Sequence, residues 1–414
     1  MNLKYLSTDA RLLFTTRILR LFAYGFLSII LVIYLTQIGL NNSQVGSLLT
    51  FTLIGDAAIS LILTTIADRF GRRKMLMVGA ILMALAGIVF TLTKNFYWLV
   101  IAATIGVISP SGSEVGPFLA IEQATLSQII SDKDRTKIFA WYHVAGFCAT
   151  ALGAFCSGIL IDALQKIGWG TIASLQMVIV GYALSGFILW FLFARLSAQV
   201  EAPTFKENSQ KVFNLFTQKF GLVHSQKIVG RLSLLFAIDS FAGGFILQSI
   251  VAYWFHIRFG VEPIMLGAIF LGANFFSAIS GLAAAKIAER IGLINTMVFT
   301  HLPSNILLIF VPLMPDLTSA IAVFFLRCSI SQMDVPVRQS YTMAVVKPEE
   351  RSAAGGITNI ARTLGTALAP VFVSKLLASA TTLNIIFFIA GGGKIIYDGL
   401  VYFAFRSLKP PEEK

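Results

Sequence analysis

"TTIADRFGRRKML", residues 64–76, sits between two apolar runs, and its reading decides the fold. Between residues 44 and 93 every formal charge except Asp56 falls inside this stretch. About 20 apolar residues in a helix span the hydrocarbon of a bilayer. Loops rich in Lys and Arg stay on the cytoplasmic side. Residues 64–76 therefore read as a cytoplasmic turn joining two membrane-crossing helices at 44–67 and 75–93.

The same pattern recurs along all 414 residues. The chain is 56% hydrophobic and 13% charged, with a mean hydropathy of +0.80. Soluble domains carry about a quarter charged residues, so a water-soluble globule of this size is excluded. Runs bounded by polar or Gly/Pro breaks predict twelve spans: 12–38, 44–67, 75–93, 96–131, 137–163, 171–196, 231–257, 264–288, 294–314, 317–346, 353–379 and 382–406. With both termini in the cytoplasm, 24 of the 32 Lys and Arg residues lie in cytoplasmic segments and four (Lys94, Lys166, Arg258, Lys375) lie outside. The net charge of +12 follows from this topology and needs no nucleic-acid partner. Arg17 and Arg20 are counted with the basic start of the first span. Cys148, Cys156 and Cys328 fall inside spans without metal or disulfide spacing, and no cofactor or metal is expected.

The chain repeats itself. At an offset of 221, Gly39, Gly46 and Gly71 fall on Gly260, Gly267 and Gly292, with Arg69 on Arg290 and Asp68 on Glu289. At an offset of 216, Gln123 falls on Gln339 and Arg135 on Arg351. Two six-helix bundles, 1–196 and 231–414, are expected around a polar linker at 197–230. Val212, Phe213, Phe216 and Phe220 share one helical face of that linker, which suits an interfacial helix.

The core Asp68-Arg69-Phe70-Gly71-Arg72-Arg73 resembles the signature between helices 2 and 3 of the major facilitator superfamily. The resemblance implies an all-α membrane protein of twelve transmembrane helices in two pseudo-symmetric bundles, not an enzyme. It also implies alternating access. The family's usual glycine at the head of the motif is Thr64 here, and the second copy, "AKIAERIGL" at 285–293, lacks the trailing basic pair. A helix N-terminus attracts carboxylates. Asp68 is therefore expected to latch onto the helix starting near Ser352, and Glu289 onto the one starting near Thr136, with Arg135 and Arg351 as ion partners. Feature by feature, the drug/proton antiporter branch is matched incompletely: Ala102 stands where those proteins carry arginine, and span 5 has no proline.

The polar sequence "SPSGSEVGP", Ser109 to Pro117, interrupts the fourth span. In lipid, irregular backbone survives only where protein or a water-filled cavity surrounds it. A broken helix lining a cavity is expected, with Glu114 at the break as the first candidate for substrate or proton binding and Asp239 as the second. Asp56, Glu122, Arg20, Arg338 and Arg362 complete the candidate set. Glu114 has no partner nearby in sequence. Glu122 and Arg338, equivalent in the repeat, are expected to pair across the cavity, Lys394 and Asp398 to pair at i, i+4, and Arg327 to lie near Asp334. His143 and His301 read as packing residues. The expected function is secondary active transport of a small polar or charged organic solute, proton-coupled, with export favoured over uptake by symport. A non-transporting membrane sensor is the reading from another class. The expected partners are the solute, protons and the lipid bilayer. The protein is expected to be a monomer in the plasma (bacterial inner) membrane.

Overall fold

A computed structural model describes residues 7–114, 116–130, 135–201, 225–347 and 350–408. The described chain is helical, and its helices follow the expected spans. α1 (Thr8–Ser28) and α2 (Leu31–Gln37) form one pair bent by 43°. Then come α3 (Asn42–Phe70), α4 (Arg72–Leu92), α5 (Phe96–Ile105), α6 (Phe118–Ile129), α7 (Arg135–Lys166) and α8 (Thr171–Ala194). The second part of the chain supplies α9 (Gln226–Gly244), α10 (Gln248–Phe259), α11 (Pro263–Ile291), α12 (Leu293–Phe310), α13 (Leu317–Ser331) and α14 (Asp334–Ala344). It ends with α15 (Arg351–Val373), α16 (Ala380–Leu383) and α17 (Ile385–Phe405). Among the described residues nine helices are long and apolar enough to cross a bilayer, or ten with the bent pair. Of the other two expected spans, one is broken between α5 and α6, and the other is the amphipathic α15.

Local chemistry sets the ends. Asn41 and Gln44 form a capping box at α3, each side chain accepting from the other's backbone at 2.9 Å. Asp316 caps α13 by accepting from the Ser319 N–H, which with the Ser319 hydroxyl holds its carboxyl below the usual carboxylate range. Gly71 has φ +106°, a conformation that L side chains rarely adopt. It lets α3 stop and α4 start within a single residue.

The chain divides into two compact units. The first comprises Met1–Ala202, Leu247–Phe275 and Pro370–Leu383. Within it α1 lies directly on α7, because a Cβ at Gly25 would overlap the Thr150 carbonyl and one at Gly153 the Phe22 carbonyl. Without water to expel, membrane helices gain from such close packing of small residues. The same unit holds Gly46 against Pro370 and Ser374, Gly158 against Pro263, and the Gln248 amide on the Ser28 hydroxyl at 2.8 Å.

The second unit comprises Pro203–Ile246, Phe276–Ala369 and Asn384–Lys414. Its core gathers Phe236, Met297, Val337, Tyr341, Tyr397 and Val401. Gly244 fits beneath the Thr366 carbonyl and Gly365 beneath that of Ala237, which brings α9 and α15 together. The expected interfacial helix around 212–220 lies outside the described residues.

Candidate functional site

The break between α5 and α6 is present. The α5 helix ends at Gly106, and Gly112 (φ +66°) and Gly116 (φ +80°) carry the chain through the left-handed region. The backbone groups freed here find protein partners. The Tyr182 hydroxyl donates to the Val107 carbonyl at 2.7 Å and that of Ser109 to the Ser113 carbonyl at 2.7 Å. The Pro110 carbonyl accepts from the Ser249 N–H at 3.1 Å, and the Gly112 carbonyl from the Thr150 hydroxyl at 3.3 Å. Asp56 accepts the Gly116 N–H at 2.5 Å. Four helices therefore hold the irregular segment, as lipid requires.

Glu114 sits in this segment and is far from partnerless. Its two oxygens meet the Arg17 guanidinium at 2.7 Å and that of Arg20 at 2.9 Å. Arg20 also grips both oxygens of Glu122 at 2.7 Å each. The Tyr142 hydroxyl donates to Glu122 at 2.5 Å, and the Tyr142 carbonyl accepts from Arg17 Nε at 2.8 Å. Arg20 and Glu122 are fully buried, while 14% of the Glu114 side chain is exposed. Two corrections follow. Glu114 is paired because Arg17 and Arg20, three residues apart, share one face of α1 beside the break. Arg17 itself is 4% exposed, so it serves this cluster and is not a solvated topology charge.

The second unit holds a counterpart. Asp239 on α9 accepts from Lys394 at 2.6 Å and from Arg338 at 3.2 Å. Arg338 also bonds Asp334 at 2.9 Å. Asp398 is held by His301 at 2.7 Å and by the Asn305 amide at 2.9 Å. Lys394 and Asp398 therefore do not pair with each other: each faces a closer partner on a neighbouring helix. Asp334 turns to Arg338, one turn away, and not towards Arg327, two turns away. Glu122 and Arg338 do not require each other, because each is compensated inside its own unit. Read through the repeat, the sign is inverted: a cation on α1 meets an anion on α6, and an anion on α9 meets a cation on α14. Arg362 on α15 is half-buried, and its Nε donates to the Ser240 hydroxyl at 3.3 Å.

Arg17, Tyr142, His301 and Asn305 belong to these clusters and were not among the expected site residues. The i, i+3 spacing of Arg17 with Arg20 and the i, i+4 spacing of His301 with Asn305 are the signals that mark three of them, and Tyr142 carries none of this kind. Among the described residues no group of His, Cys, Asp or Glu is placed to hold a metal.

The Major Facilitator Superfamily profile matches residues 13–370. The chain belongs to the Major Facilitator Superfamily. It is accordingly an integral membrane protein. This superfamily member is 29% identical over 419 residues to the uncharacterized membrane protein YJR124C of Saccharomyces cerevisiae, covering 95% of this chain and 93% of that one. It is 24% identical to the uncharacterized MFS-type transporter YdgK of Bacillus subtilis, covering 80% of each. A solved D-xylose–proton symporter shares its fold with a TM-score of 0.73 at 14% identity, covering 98% of both chains.

The superfamily motif has a local task in this chain. The Arg72 backbone N–H donates to the Glu201 carboxylate at 2.6 Å, and the Arg72 guanidinium to Gln128 at 2.9 Å. Gln128 in turn donates to the Gln199 and Glu201 carbonyls at 3.1 and 3.0 Å. Arg73 donates to the Leu196 carbonyl at 3.0 Å, and Asp9 accepts from the Ser197 N–H and hydroxyl. The motif thus fastens the start of the linker to the first unit. Of the expected latch residues, Glu289 is exposed, and the side chains of Asp68, Arg69, Arg135 and Arg351 lie outside the described residues.

Proposed function

We propose that the protein is a secondary active transporter that moves a small polar or charged organic solute by alternating access of two six-helix halves, driven by protons. The observation that carries this reading is the broken fourth span: a polar segment between two membrane helices, fully supported by protein, presents a part-exposed carboxylate between two buried guanidiniums. Buried charges inside a membrane are costly and mark solute or ion pathways.

The proton carrier is better assigned to Asp56 than to Glu114 or Asp239. The latter two each face two cations, which stabilise the charged carboxylate. Asp56 accepts the Gly116 N–H and has no cation within salt-bridge distance among the described residues. Protonation there would alter the hold on the broken segment itself. Export is the proposed direction, with uptake by symport as the alternative.

The test is solute counterflow and pH-gradient-driven accumulation in proteoliposomes. Asp56→Asn keeps an oxygen acceptor for Gly116, so counterflow should persist while gradient-driven accumulation falls at least about tenfold, the ~1.4 kcal/mol step of a lost coupling. Accumulation equal to wild type would reject Asp56 as the carrier. Ligand binding without any counterflow would favour a sensor.

A further inference from the structure

α15 is an amphipathic helix in a membrane protein, and its two faces separate cleanly. Ile360, Leu364, Leu368 and Phe372 are exposed, spaced four apart, and form the lipid face. Thr358, Arg362 and Thr366, also four apart, occupy the opposite side. Arg362 therefore carries its charge away from lipid, half-buried near the middle of the helix.

Every carboxylate of the neighbouring cluster is committed elsewhere. Asp239 takes Lys394 and Arg338, Asp334 takes Arg338, and Asp398 takes His301 and Asn305. Arg362 receives none of them. Its protein acceptor among the described residues is the Ser240 hydroxyl, at its Nε. The bond at Nε orients the guanidinium plane, and among the described residues its two Nη groups have no hydrogen-bond partner. Arg338 places a like charge near Arg362, and Asp239 and Asp334 offset part of it from a distance without forming an ion pair with Arg362. A planar fork with two parallel N–H donors matches the two oxygens of a carboxylate or phosphate.

We propose that Arg362, oriented by Ser240, is the receptor for the anionic group of the transported solute, so that the substrate is a small organic anion bearing a carboxylate or phosphate. This rests on the carrier reading above and narrows its substrate class.

The experiment uses the purified full-length protein in two arms. In the first, phenylglyoxal modifies accessible, uncommitted guanidiniums, and peptide mass spectrometry follows each arginine. Arg362 should react at least about tenfold faster than the ion-paired Arg17, Arg20 and Arg338, and benzoate, citrate or glycerol 3-phosphate should slow it by a similar factor, one charge-assisted contact's worth. In the second, the same anions should raise the melting temperature more than benzyl alcohol, glycerol or choline do. Arg362→Lys should weaken that shift, and Arg362→Gln should remove it. The labelling arm needs no variant, so misfolding of Arg362→Gln leaves the test intact. The proposal fails if no anionic probe protects Arg362 or if uncharged analogues protect it as well. It fails equally if phosphatidylglycerol alone, added to phosphatidylcholine vesicles, gives the protection, since a lipid headgroup is then the ligand. Counterflow of an uncharged solute that survives Arg362→Gln overturns the anion site and leaves the carrier reading standing. Anion protection of Arg362 without counterflow of any anion overturns the carrier reading and leaves the site.

Discussion

Arg20 and Glu122 set the energetics at the scale of single residues. Both are completely buried, and their bidentate contact is closed by Tyr142. Removing one partner of such a pair leaves an uncompensated charge, which costs about 3–5 kcal/mol, whereas replacing both by apolar groups of similar size is often neutral. Glu122→Gln should therefore lower the melting temperature in detergent sharply. Arg20→Met combined with Glu122→Leu should recover most of it while transport stays lost, because Glu114 loses one of its two guanidiniums. A double variant that melts as low as the single one would show that the cluster is held together by something other than charge compensation. The acids and arginines of these clusters were visible in the sequence as charges in apolar runs. Their pairing was not. Partners such as Arg17 and Glu114 are 97 positions apart, and only packing makes them neighbours.

At the scale of elements, the broken span and the linker start depend on particular contacts. Gly116 lies at φ +80°, and a Cβ there would collide with Val107. Gly116→Ala should destabilise by at least about 1 kcal/mol, whereas Gly356→Ala, mid-helix with open space around it, should be neutral or stabilising by about 0.4–1 kcal/mol. Thermal melts of the two variants compare them directly. The linker start offers a second test. Glu201→Ala removes the acceptor of the Arg72 N–H, so amide hydrogen exchange at Ser197–Val200 should quicken several-fold with little change in α3 and α4. Unchanged exchange would show that the motif does not hold this segment. The break was legible because prolines and glycines cannot continue a helix. The helices that support it were not, since Asp56, Thr150, Tyr182 and Ser249 come from four separate spans.

At the scale of the whole molecule, the first unit draws on three separate stretches of the sequence, Met1–Ala202, Leu247–Phe275 and Pro370–Leu383. Gly46 packs against Pro370 and Ser374, and Gln248 bonds Ser28, on the side expected to face outwards. If these contacts close that side during a transport cycle, Gly46→Leu should hold it open. The reactivity of Gln248→Cys towards an impermeant maleimide should then rise at least about tenfold over the same cysteine beside Gly46. Equal reactivity would remove these contacts from the gate. The sequence by itself determined the all-helical membrane class, the position of the spans, the repeat and the family, because each follows from local hydrophobicity, charge and spacing along the chain. Tertiary structure alone decided which buried charges neutralise each other within each unit, and that Arg362 meets a hydroxyl and no carboxylate within salt-bridge distance among the described residues. Charge compensation in a low-dielectric interior depends on distances of a few ångströms between helices, and no linear pattern encodes those distances.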